Sequence, residues 1–208
     1  NLREYSKKDI VPLSDKKNEK IRSVFFKEAE SHKKNNILEK LPINCFRLNF
    51  INKAFPEAKY IVIKRNPLEV AASIEEKIVK GNWYGVNDNK LRLLIEYAKS
   101  NNVETKDFLK TDFNKGLLEW RLSNIAISKF FNDSKKDFFS INYSNLTLNP
   151  KEILTEAFNF LEIKYNEEAL INCCKLVHKN LRNNENIKNN IQNNQKEFLI
   201  SEGFIQEK

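Results

Sequence analysis

The chain contains no methionine, only four glycines and five prolines, three cysteines, two histidines and two tryptophans in 208 residues. Each shortage removes a class of chemistry. Four glycines leave no glycine-rich loop to cradle phosphates, so the GxxxxGK[ST] string that a nucleoside or shikimate-type kinase needs is absent. Cys45, Cys173 and Cys174 are too few for a disulfide framework and lack metal-ligand spacing. His32 and His178 stand far apart, so no metal is expected. No stretch approaches the roughly 20 apolar residues of a membrane span, and no signal-peptide pattern is visible. The reading is therefore a reducing, cytoplasmic setting with no membrane partner. No RNA- or DNA-binding motif appears and the basic residues are scattered rather than striped, so no nucleic-acid partner is expected either.

What is present describes a globular chain. Hydrophobic residues make up 40% and phenylalanine alone occurs 15 times, enough to bury a core within one domain. The net charge of +8 gives a basic surface that would attract a polyanionic ligand. Asparagine occurs 30 times, seven of them between Asn183 and Asn194, and reads as a compositional bias with a loop at its densest point.

Along the chain, residues 1–20 read as irregular, Asn18 to Lys33 as a helix, and Ile37 to Lys40 as a short strand. A helix from Pro42 to Ala54 follows. Lys59 to Lys64 (KYIVIK) is β-branched and almost continuously apolar, the pattern of a parallel strand covered on both faces. Asn66 is a good N-cap, Pro67 suits the first helical position, and Glu69 occupies the capping-box position of a helix to about Val79. Gly81 to Asn89 is a loop whose Trp83 and Tyr84 read first as residues docking the loop itself. Helices are expected over Leu91–Lys99, Phe113–Phe131, Pro150–Leu161 and Glu167–Lys179, with a strand at Asp137–Asn142. Trp120 reads as core packing. The alternation of strands and helices predicts an α/β fold, a mostly parallel sheet flanked by helices, with a helical C-terminal part. The strands ending at Lys40, Arg65 and Tyr143 are expected to share one sheet and to face one cleft.

Arg65 is the most informative residue. It follows a strand and precedes a helix N-terminus, the edge of an open α/β sheet where ligands bind. Guanidinium groups and helix N-termini both favour phosphate. Ser73 lies eight residues further, about two helical turns along, where its hydroxyl completes an anion site.

Phe55 to Ser73, FPEAKYIVIKRNPLEVAAS, resembles the 3′-phosphate-binding strand and helix of sulfotransferases that use 3′-phosphoadenosine 5′-phosphosulfate (PAPS). Two further segments resemble that family in the right order. Ile37 to Pro42 (ILEKLP) is similar to its EKTP strand end, with Leu41 in place of a hydroxyl residue. Asp137 to Leu146 (DFFSINYSNL), then Asn149-Pro150 and Phe160-Leu161, is similar to its RYEDL…dP…FL segment, with both acidic positions replaced by Ser144 and Asn145. The resemblance covers Ile37 to Leu161, with residues 1–36 as a polar and helical lead-in and 162–208 as C-terminal helices and the asparagine-rich loop of the same single domain. It implies a fold similar to P-loop kinases, PAPS as co-substrate, and sulfation of a hydroxyl, or less readily an amine, on a small molecule or carbohydrate. It implies Lys40 as the catalytic cation near the transferring sulfuryl group, Arg65 and Ser73 on the 3′-phosphate, and Tyr143 beside the nucleotide. The family's GxxRSGTT loop has no counterpart in residues 1–36, so the chain as given is expected to transfer sulfate poorly. A non-catalytic binding protein derived from the same fold is the alternative. No general base stands out: Glu4, Glu28, Glu30 and His32 all lie upstream of Lys40, outside any recognisable motif.

Overall fold

The computed structural model describes residues 15–81, 83–177 and 193–206. Helix α1 (Asp15–Ser31) comes first, followed by an irregular stretch and a 3-10 turn at Pro42–Phe46. Next come α2 (Leu48–Ala54), strand β1 (Tyr60–Lys64) and α3 (Pro67–Val79). Helices α4 (Asn89–Ser100) and α5 (Asp112–Ser134) lead to strand β2 (Phe138–Asn142). The chain continues through α6 (Tyr143–Leu148), α7 (Pro150–Leu161), α8 (Glu167–Leu176) and a last helix, α9 (Asn193–Ser201).

β1 and β2 pair in parallel from Tyr60 opposite Phe138 to Lys64 opposite Asn142. Because the register is level, the residues that follow, Arg65 and Tyr143, leave the sheet side by side. Between the two strands runs a crossover of helices, as a parallel pair requires. Tyr60 and Val62 bury one face of β1 against Phe130 and Phe131 of α5. Phe139 of β2 stacks on Phe160 of α7 across the other face, with ring centroids 5.8 Å apart. This α/β arrangement is the expected class, helices flanking a parallel sheet.

The larger core lies between α3, α4 and α5, with Leu68, Ile74, Leu94, Phe108, Leu117 and Leu118 at its centre. α3 and α5 approach closely because Gly116 faces Ala71: a Cβ on Gly116 would stand 2.8 Å from the Ala71 Cα. The C-terminal helix closes this core with Leu199, which is fully buried.

Four local expectations are corrected. Ile37–Lys40 forms no strand, and the sheet among the described residues has two strands. A strand is held by a neighbour's hydrogen bonds, and among the described residues no strand pairs with this segment; Leu38 is 87% exposed. The expectation that its end joins Arg65 and Tyr143 on one sheet therefore fails for Lys40 alone. The helix expected over Pro42–Ala54 is broken at Arg47, whose N–H bonds the Asn44 carbonyl at 2.9 Å, closing a tight i→i−3 turn before α2 begins. β1 is covered on one face and only partly on the other, where Ile63 is 54% exposed. α1 starts at Asp15, inside the stretch read as irregular, while residues 1–14 lie outside the described part. Of the asparagine-rich loop, residues 183–192 also lie outside it, and Asn193 and Asn194 open the last helix.

Candidate functional site

The site is built where β1 and β2 end. Asn66 caps α3 by accepting the Leu68 N–H at 2.9 Å, and Asn142 caps α6 by accepting the Ser144 N–H at the same distance. β1 passes into α3 across two residues, Arg65 and Asn66, and β2 passes into α6 at Asn142 itself. These two turns present Arg65 and Tyr143 at the carboxyl edge of the sheet, beside two helix N-termini.

Their side chains meet. The Arg65 guanidinium carbon lies 4.8 Å from the centroid of the Tyr143 ring, a cation–π contact. Arg65 Nε donates to Glu69 Oε2 at 3.0 Å. Trp120 of α5 donates its indole N–H to the Arg65 carbonyl at 3.1 Å, tying the turn to the core. Glu69, expected to reach back to the cap N–H, instead holds the arginine side chain. Its side chain is 2% exposed, against 28% for Arg65. The guanidinium is thus held along its Nε edge and across one face, and among the described residues its two Nη groups make no hydrogen bond. Those four N–H bonds form a fork suited to a phosphate or sulfate.

Glu69 and Ser73, four residues apart, share one face of α3, and Arg65 lies just before the Asn66 cap of that helix. Ser73 is half-buried. Lys40 is exposed in the irregular stretch before the 3-10 turn, and among the described residues it makes no hydrogen bond or ion pair. The sheet edge therefore brings Arg65 and Tyr143 together, α3 carries Ser73, and Lys40 lies on neither strand end. Among the upstream groups weighed as a base, His32 and Glu28 pair with each other in solvent at 3.1 Å.

A second polar cluster lies beneath the 81–89 loop. Glu119 of α5, 7% exposed, accepts from the Trp83 indole N–H at 3.0 Å and from the Lys90 ammonium at 2.5 Å. Lys90 Nζ also lies 4.0 Å from the Trp83 ring, and its burial lowers its pKa. Tyr84 is 4% exposed, and burial raises its phenol well above the usual range. Trp83 and Tyr84 thus dock the loop, as their position suggested. The carboxylate that receives Trp83 could not be read from sequence, because Glu119 sits 36 positions away in another helix. Nearby, burial pushes the Cys45 thiol up to about 11; its Sγ donates to the Pro42 carbonyl at 3.1 Å. Among the described residues, no group of three His, Cys, Asp or Glu side chains is placed to hold a metal ion. No described helix is long and apolar enough to cross a membrane.

An arginine at the carboxyl edge of a parallel pair, beside an aromatic ring and a helix N-terminus, defines the class: an α/β protein with a guanidinium presented where its strands end. The family is narrower. The sulfotransferase family profile matches residues 12–167, three quarters of the chain, and the protein belongs to that family. No curated protein and no solved structure gives a significant match.

Proposed function

We propose that this member of the sulfotransferase family binds PAPS and transfers its sulfuryl group to a hydroxyl of a small molecule or carbohydrate. The observation that carries this reading is the Arg65 fork, without a hydrogen bond at either Nη group among the described residues and held against Tyr143 where β1 and β2 end. In this reading the 3′-phosphate sits on Arg65 and Ser73, and Tyr143 lies beside the nucleotide. The acceptor oxygen attacks sulfur in line, the bond from sulfur to the bridging oxygen breaks, and adenosine 3′,5′-bisphosphate (PAP) leaves with that oxygen's negative charge. The acceptor's proton passes to a base or to water. Lys40 supplies the cation near the bridging oxygen, where such a charge stabilises the leaving group.

Since Lys40 is exposed and ends no strand of the sheet, a second reading has its own support: a protein that binds the nucleotide without catalysing transfer. Two measurements separate them. Calorimetric titration of PAP should show binding that weakens at least tenfold in Arg65→Lys, which keeps charge but loses the fork. Labelled PAPS with a panel of hydroxyl acceptors should show transfer, slow because residues 1–36 hold no GxxRSGTT loop, that Lys40→Ala abolishes. Binding without transfer leaves the second reading; no PAP binding by the unaltered protein removes both.

A further inference from the structure

We infer that Glu69 is a positioning residue for the anion site: its buried carboxylate fixes the Arg65 guanidinium so that the Nη fork faces the 3′-phosphate. The inference rests on the PAPS reading above and adds to it a residue that does not touch the ligand.

Three observations carry it. Glu69 is 1% exposed, and a carboxylate is seldom buried so deeply without a partner. The partner it has is Arg65 Nε, at 3.0 Å, four residues earlier and just before the helix cap. The carboxylate engages the Nε edge, and the Nη end of the same guanidinium is left without a hydrogen bond among the described residues. A surface i,i+4 pair would serve helix stability alone and would leave the arginine mobile. Here the acid is buried while the base is partly open, so the acid is the fixed member and sets where the base points. Tyr143 limits rotation from one face of the plane, at 4.8 Å. With edge and face both held, the guanidinium is arranged before any ligand arrives. Ordering a free arginine on binding would cost roughly two- to tenfold in affinity.

Glu69 also places a negative charge near an incoming phosphate, which by itself weakens binding. Orientation and charge therefore predict opposite outcomes, and two substitutions separate them. Glu69→Gln keeps the length and the acceptor oxygen but removes the charge. Glu69→Asp keeps the charge but withdraws it by one methylene. Titrate PAP and adenosine 5′-monophosphate, which lacks the 3′-phosphate, into the unaltered protein and both variants, with thermal melts alongside. If Glu69 positions Arg65, Glu69→Gln binds PAP within about threefold of the unaltered protein, or more tightly. Glu69→Asp then loses about tenfold for PAP while its affinity for the monophosphate is unchanged. A lowered melting temperature alone, with the PAP-to-monophosphate ratio intact in both variants, overturns the inference and leaves Glu69 a structural residue. So does the reverse pattern, with the Asp variant matching the unaltered protein and the Gln variant tightening, since Glu69 would then act through charge. Failure of the underlying reading shows separately: the unaltered protein would not prefer PAP to the monophosphate at all.

Discussion

Arg65→Ala is expected to damage the fold as well as the site, and the size of that damage follows from the burial of Glu69. Removing the arginine leaves a carboxylate that is 2% exposed without its hydrogen-bond donor. Breaking a buried pair by deleting one partner costs about 3–5 kcal/mol. Arg65 is 28% exposed, so water reaches the gap and the low end applies, about 3 kcal/mol. The lost stacking on Tyr143 adds about 0.5 kcal/mol. For a chain of this length each kcal/mol moves Tm by about 2–4 °C, so the variant should melt roughly 7–14 °C lower. In Arg65→Ala/Glu69→Gln no ion is stranded, and more than half of that loss should return. Thermal melts of the two single variants and the double variant form a double-mutant cycle whose coupling should exceed about 1 kcal/mol. Additivity within about 0.5 kcal/mol would refute the reasoning, because the two side chains would then not depend on each other. The same arithmetic makes Arg65→Ala a poor probe of binding, and Arg65→Lys the better one.

Gly116→Ala should destabilise the protein by about 2 kcal/mol, since a Cβ meets Ala71 backbone atoms at 2.8 and 3.0 Å and α3 must move; overpacking of about 3 kcal/mol is offset by about 1 kcal/mol of helix propensity. Denaturant melts check this, and an unchanged midpoint would mean that α3 and α5 part easily. Cys45 should resist alkylation at pH 8, because burial lifts its pKa from 9.0 to about 11. As its folded-state pKa lies above the unfolded value, its contribution to stability is complete below pH 9 and declines as pH rises through about 11, which alkaline melts of Cys45→Ser against the unaltered protein would register. Lys40→Ala should lower sulfuryl transfer at least about 100-fold while leaving PAP affinity within about threefold, because among the described residues Lys40 makes no hydrogen bond or ion pair with the Arg65 cluster; a parallel fall in affinity would move Lys40 into the binding site.

The site was legible where local rules are strict. Asn66, Pro67 and the apolar run before them fix a strand end and a helix start within three residues, and the observed strand and helix follow. The level register that brings Tyr143 to Arg65 needed only the two strands to be parallel and adjacent. Helix α6 went unread because the short run from Tyr143 to Leu148 shows little periodicity, although Asn142 is the N-cap that announces it. Glu69 was placed in the right turn but with the wrong partner, because two acceptable donors lay within its reach and only packing chose between them. The strand expected at Ile37–Lys40 rested on pattern alone, and a strand without a neighbour has no hydrogen bonds to hold it. The pairing of Glu119 with Trp83 and Lys90 is long-range, and no spacing rule points to it.

A crystal structure with PAP bound would test the central claim most directly. The account predicts 3′-phosphate oxygens at hydrogen-bond distance, about 2.7–3.2 Å, from the Nη groups of Arg65 and from the Ser73 hydroxyl, with Glu69 still on Nε and the Tyr143 ring still under the guanidinium. A bound PAP whose 3′-phosphate sits away from the ends of β1 and β2, with the Arg65 fork facing solvent, would contradict it.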